Sequence, residues 1–319
     1  RPPRSTQGVS SAASDVYKRQ THKRGLEACC HCRISEVDGH KMDELNPIKA
    51  EHPDWVIKTW WWQGMWNLAV PEVRDFKVEE FRAMAERYDF DGYQIDFHRH
   101  TPVLPVGRQW ELRDSVTDLM RRVREVLLKA SAKKNKPILF SAKVGRSLEV
   151  CRADGFDVES WVKEGLVDML SLGSRSYEVD IEGYRKALGP KVKLYPCLDD
   201  HHTSDAYQFP PIEVFRGVTS SWWHQGADGI TTFNWYGGPV PESSAARGLR
   251  GEGGPPGDLP GFRPGPESQK NAYCEIGSTE TLKGKSKVFP VERRGGFPWG
   301  EGALGQNLHA QLPLKLAYD

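Results

Sequence analysis

From Gly25 to about Tyr236, short apolar runs alternate with longer amphipathic ones, and this alternation constrains the fold more than any other feature. The strand candidates are Gly25–Ile34, Gly92–Phe97, Ile138–Val144, Asp168–Leu172, Val192–Leu198 and Gly229–Trp235. The helix candidates between them are Glu72–Arg87, Leu112–Ala132, Val158–Gly165, Asp180–Ala187 and Ile212–Gln225. Each carries apolar residues at a spacing of three and four, with charges opposite. Pro71 and Pro211 stand where helices start, and Gly165 and Gly226 where they stop. Strands that alternate with helices in one series imply a parallel sheet. The length of the series, and the lack of a Gly-rich phosphate loop after any strand, favour a (β/α) barrel over a nucleotide-binding doubly wound sheet. A further irregular strand is expected near Trp66–Ala69, and the first strand of an eight-stranded barrel would lie before Thr21.

The flanks read differently. Residues 1–20, RPPRSTQGVSSAASDVYKRQ, hold no apolar period and resemble translated adaptor read-through. They are expected to be a non-native or disordered tail. The true N-terminus is then missing, so localisation stays open, with a secreted or periplasmic site compatible. Residues 21–238 are the expected (β/α) barrel domain, and 239–269 a Gly/Pro-rich linker or loop. Strand-like pieces such as SKVFPVERR suggest a partial β-rich domain over 270–319. The expected class is therefore α/β, a (β/α)8 TIM-type barrel lacking its first strand and followed by the start of a small β domain.

Net charge is +1, which gives no whole-chain bias toward nucleic acid, and no apolar run is long enough to span a membrane. Three of the six cysteines, Cys29, Cys30 and Cys32, crowd one strand. That spacing does not suit a zinc ribbon, so they read as free thiols that pack. The chain holds 11 tryptophans, including Trp60-Trp61-Trp62 and Trp222-Trp223, and indole rings serve both cores and sugar platforms.

In such barrels, function gathers at the C-terminal ends of strands. The ends here carry Arg33 and Glu36, then Asp96, His98 and His100, then Lys143 and Arg146, then Glu178, then Asp199 and Asp200, then Asn234, Trp235 and Tyr236. Polar residues are thus concentrated at one end of the sheet. Asp96 sits between apolar neighbours, where an unpaired carboxylate would be costly, and is the first candidate for catalysis. Paired carboxylates would cleave a glycosidic bond, with Asp199 or Asp200 as the first candidate partner of Asp96 and Glu36 and Glu178 as rivals. Arg33, Asn67, His98, His100, Arg146, Glu178, Asp200, Asn234, Trp235 and Tyr236 are candidates for holding the sugar. No cofactor is expected. One alternative is a metal-dependent hydrolase using Asp96, His98 and His100; another is a non-catalytic carbohydrate-binding barrel.

HPDWV, WNLAVPEVRDF and YDFDGYQIDFHRH together resemble the glycosyl-hydrolase-like barrel proteins of environmental bacteria, family-10-like glycosidases that carry eHPeW, N-x-a-x-PeVR and YDvDGielDf-x-R. EIGSTETLKGKSKVF is similar to a segment that follows the barrel in those proteins. The resemblance implies a (β/α)8 barrel whose fourth strand ends at Asp96, glycosidase chemistry and a carbohydrate substrate. It places Arg33, Asn67, Asp96 and Arg99 on family positions, and Gln94 where the family often has Glu.

Overall fold

The computed structural model describes residues 11–35, 45–59, 63–173, 176–199, 211–233 and 266–290. Six strands form one parallel sheet: β1 (Cys29–Arg33), β4 (Gly92–Asp96), β5 (Leu139–Val144), β6 (Met169–Leu172), β7 (Lys193–Asp199) and β8 (Thr231–Phe233). Their spatial order is their chain order. A doubly wound sheet reverses direction at a switch point, whereas a barrel does not. The intervening helices are α3 (Pro71–Arg87), α4 (Arg113–Lys134), α5 (Leu148–Asp154) with α6 (Val158–Lys163), α7 (Ile181–Leu188) and α8 (Ile212–His224).

The sheet curls. Strands β5 and β8 stand three steps apart in sheet order, or about 14 Å along a flat sheet. Yet Lys143 Nζ at the end of β5 lies 3.1 Å from the ring centroid of Phe233 on β8. The Arg99 guanidinium, just past β4, lies 5.2 Å from the same ring. The C-terminal strand ends therefore converge, and the sheet is the arc of a (β/α) barrel.

The helices form for reasons visible in their residues. Pro71 opens α3 at a position where its missing N–H costs nothing, and Val73, Val78, Phe81 and Ala85 turn inward. Helix α4 buries Val116, Leu119, Met120, Val123, Val126 and Leu127, and ends at Asn135 in the left-handed region (φ 48°). Ser147, Asp157 and Asp180 cap α5, α6 and α7 by accepting backbone N–H groups with their side chains. Behind the end of β4, Phe97 packs against Phe156 and Trp161 at 5.0 and 5.5 Å, and the Trp161 indole donates to Thr117 Oγ1.

A repeated Asp clasps the opposite, N-terminal end of the sheet. Asp91, Asp168 and Asp228 each precede a strand and accept the backbone N–H that opens the neighbouring one: Ala28 at 2.6 Å, Phe140 at 2.8 Å and Leu194 at 2.9 Å. Each also meets a cation: Lys136 at 2.7 Å, Arg124 through two bonds, and Arg185 with Lys193. This device explains the shared Gly/Asp approach of YDFDGY, LVDML and GADGI. Burial pushes the Asp91 carboxyl up, but Lys136, the Ala28 N–H and His22 outweigh it and hold the pKa at about 2. A depressed carboxylate adds stability above its unfolded value near 3.9, and that stability is lost as pH falls through the folded value. Asp91→Asn is expected to cost about 1 kcal/mol at pH 7, because the site is partly screened. Urea titrations at pH 7 and pH 2 should show the gap between the two proteins closing in acid.

Three expectations need correction. The segment near Trp66–Ala69 is not a barrel strand, because β1 pairs directly with β4. Instead β2 (Val56–Ile57) and β3 (Met65–Trp66) form a small antiparallel hairpin, and Leu68 N–H donates to Val103 O over the C-terminal end. The tail is not structureless throughout, since Ser11–Lys23 form helix α1, tied to the sheet by His22 and Asp91 at 2.7 Å. Residues 266–290, where a linker end and a β-rich domain are expected, hold two helices and an irregular segment. They form α9 (Pro266–Glu275), α10 (Thr279–Leu282) and a following segment, all packed on α8. Arg216 pairs with Glu275 at 2.6 Å, the Trp223 indole donates to Ile276 O, and Val288 N–H donates to Glu213 O. A Cβ on Gly217 would sit 2.1 Å from Val288 O, so the bare glycine permits this close approach. Residues 239–265 and 291–319 lie outside the described residues.

Candidate active site

Register places the site. In a parallel sheet, paired residues point to the same face, so Arg33, Asp96, Lys143, Ser171 and Tyr195 form one row across five strands. The row below begins His31, Gln94, Ser141. Asp199 and Phe233 pair at the ends of β7 and β8. This polar face turns into the arc, while Tyr93, Ile95 and Phe97 turn outward into the apolar core.

Asp96 is the hub. Its side chain is completely buried. Oδ1 accepts the backbone N–H of His98 at 2.9 Å and of Arg99 at 2.8 Å. Oδ2 meets His31 Nε2 at 2.9 Å. His31 Nδ1 lies 2.9 Å from Gln94 Oε1, and Gln94 Nε2 donates to Ser141 Oγ at 3.1 Å. An ionised Asp96 can only accept, so Nε2 is the protonated nitrogen facing it. Burial pushes the Asp96 carboxyl up. The Lys143 ammonium, the His31 hydrogen bond and nearby His98 more than reverse this, holding it well below the usual carboxylate range. Asp96 is therefore a carboxylate, not a carboxylic acid, at any ordinary pH.

The surrounding charges are arranged about it. Lys143 is buried against Phe233. Burial and nearby Arg33 push Arg99 down, while Asp96 and Asp199 push it up, which places both carboxylates and both guanidinium groups at one end of the arc. Asp199 is buried there as well. His98 and His100 are buried just past β4. Arg146 and Glu178 lie on neighbouring loops joined by the Asp180 N–H to Arg146 O bond. Asn67 stands apart from the Asp96 contacts: its Oδ1 accepts the Ala69 N–H at 3.0 Å and closes a local turn.

Glu36, Asp200, Asn234, Trp235 and Tyr236 lie outside the described residues, as does Trp60–Trp62. Buried Trp222 donates its indole N–H to Tyr177 O, and half-buried Trp223 donates to Ile276 O, where the helices that follow the barrel pack on α8. Among the described residues, no three His, Cys, Asp or Glu side chains converge to hold a metal, and Asp96, with His98 and His100, does not form such a group. None of the described helices is long and apolar enough to cross a membrane.

Sequence reading missed His31 and Phe233 as site members. His31 is masked by the cysteines around it, although it shares the inward parity of Arg33. The Phe233 contact joins residues 90 positions apart through curvature, which no local pattern announces.

No family model matches this sequence. Over 82 residues the chain is 32% identical to Glycosyl hydrolase YngK of Bacillus subtilis (strain 168), a match that covers 24% of this chain and 16% of that protein. Similar solved structures include alpha-L-fucosidase isoenzyme 2 from Paenibacillus thiaminolyticus (15% identity, TM-score 0.46, covering 67% of this chain and 35% of that one). The maltogenic alpha-amylase AmyB from Thermotoga neapolitana is another (11% identity, TM-score 0.42, covering 86% of this chain and 61% of that one).

Proposed function

We propose that this chain is the barrel of a glycoside hydrolase acting on a poly- or oligosaccharide, with Asp96 as the nucleophile. The observation that carries the reading is the ionised Asp96 carboxylate at the convergent end of the arc, held so by Lys143 and His31. A general acid needs a raised pKa, so Asp96 is suited to the other carboxylate role. Oδ1 is filled by two backbone N–H groups, while among the described residues Oδ2 carries the His31 bond alone and keeps a lone pair for attack. In the proposed sequence Oδ2 bonds to the anomeric carbon and the glycosidic C–O bond breaks. The leaving oxygen takes a proton from a second carboxyl group, for which Asp199 is the candidate among the described residues. Water, deprotonated by that same group, then displaces Asp96. The identity with a glycosyl hydrolase over 82 residues supports a sugar substrate.

A second reading is favoured by the complete burial of Asp96 and its backbone bonds: a carbohydrate-binding barrel in which Asp96 is a structural clasp. Turnover of a panel of aryl glycosides by wild type and Asp96→Asn separates the two. Hydrolysis that depends on Asp96 supports the nucleophile. Glycan binding by both proteins with no turnover by either supports the clasp.

A further inference from the structure

The outward face of β1 carries a group that the proposed glycosidase does not use. Cys30 and Cys32 share that face by their i, i+2 spacing, while Cys29 and His31 take the other. Cys30 Sγ lies 3.7 Å from Cys32 Sγ, and Cys32 Sγ lies 3.9 Å from Met84 Sδ on α3. Three sulfurs from two elements thus meet where β1 packs on α3. Aromatic rings border them: Tyr93 pairs with Cys30 in register, and Phe81 and Phe90 meet Tyr93 edge to face at 6.3 and 5.9 Å.

We propose that Cys30, Cys32 and Met84 form a binding site for a soft monovalent metal ion, of which copper(I) is the type. The separations fit. Ligands about 2.3 Å from a metal stand roughly 3.8 Å apart in a tetrahedral site and roughly 4.0 Å apart in a trigonal one. The Cys30–Cys32 and Cys32–Met84 separations both fall close to these edges. Ligand type selects the metal: two thiolates and a thioether suit copper(I), whereas zinc seeks four ligands and avoids thioether. Binding replaces the thiol protons and releases them to solvent, with no change in oxidation state. Cys30 is only partly buried, which leaves a route for the ion.

The test is an anaerobic titration of the full, reduced chain with copper(I) in acetonitrile, against bicinchoninate as chromogenic competitor. Retention of a single copper per chain is expected. Cys30→Ser and Cys32→Ser should each weaken binding about 100-fold, Met84→Leu about 10-fold, and Cys29→Ser not at all. Met84→Leu conserves volume and keeps the test valid if a serine variant fails to fold, which circular dichroism shows. Copper lost entirely to the competitor, equal retention by the Cys32→Ser and Met84→Leu variants, loss in Cys29→Ser, or a preference for zinc would each overturn the proposal.

Discussion

Asp96→Asn is expected to lower kcat/KM on aryl glycosides by about 10³-fold or more, because the neutral amide cannot attack the anomeric carbon. The fold should survive. Asn oxygen can keep the two backbone N–H groups of His98 and Arg99. Its amide nitrogen can donate to His31 Nε2 once that ring moves its proton to Nδ1, which faces Gln94 Oε1. What is lost is the charge that offsets buried Lys143. Removing one partner of a buried pair costs about 3 kcal/mol. The sign of the pH dependence follows from the depressed carboxyl. Its stabilisation is complete above the unfolded value near 3.9 and is lost only as pH falls through the lower folded value. Urea titrations should therefore show a constant gap between wild type and variant above about pH 5, narrowing only in strong acid. A gap that closed between pH 7 and pH 5 would contradict the charge assignment.

Lys143→Met is expected to act on the same carboxylate from the other side. Lys143 is the first of the groups that bring the Asp96 carboxyl down against its own burial. Without it, burial is less opposed, and the carboxyl pKa rises. A nucleophile works only when ionised, so activity is lost as pH falls through that value. The acid limb of the kcat/KM profile should move to higher pH in the variant. The variant should also lose roughly 3–5 kcal/mol of stability, because Asp96 stays buried with less compensation. Methionine fills most of the lysine stem against Phe233, which limits the cavity contribution. An unchanged acid limb would show that Lys143 does not govern Asp96.

Much of the fold was legible because short strand-like runs alternate along the chain with longer amphipathic helical ones. The six strands lie within about four residues of their expected bounds at each end, and the best agreement is for Gly92–Asp96, Leu139–Val144 and Met169–Leu172. The long helices were equally clear, since α3 and α4 bury periodic stripes. The hairpin of β2 and β3 was not legible, because two-residue strands leave no period to read. Helices α9 and α10 fall where a linker end and a partial β-rich domain were expected, although Ser278 caps α10 through the Thr281 N–H in a pattern the sequence does contain. The candidate site followed the same division. Asp96, Arg33 and Asp199 could be placed at strand ends because strand ends are local features. Lys143 over Phe233, and His31 on Asp96, depend on curvature and on pairing between strands.

The central claim is that Asp96 forms a bond to sugar, and covalent trapping tests it most directly. Wild type incubated with activated 2-deoxy-2-fluoro glycosides, then digested and mapped by mass spectrometry, should carry one fluoroglycosyl group on Asp96, and Asp96→Asn should carry none. A label on Asp199 or another carboxylate, in a protein that turns over the parent glycoside, would contradict the account and assign Asp96 to the structural clasp.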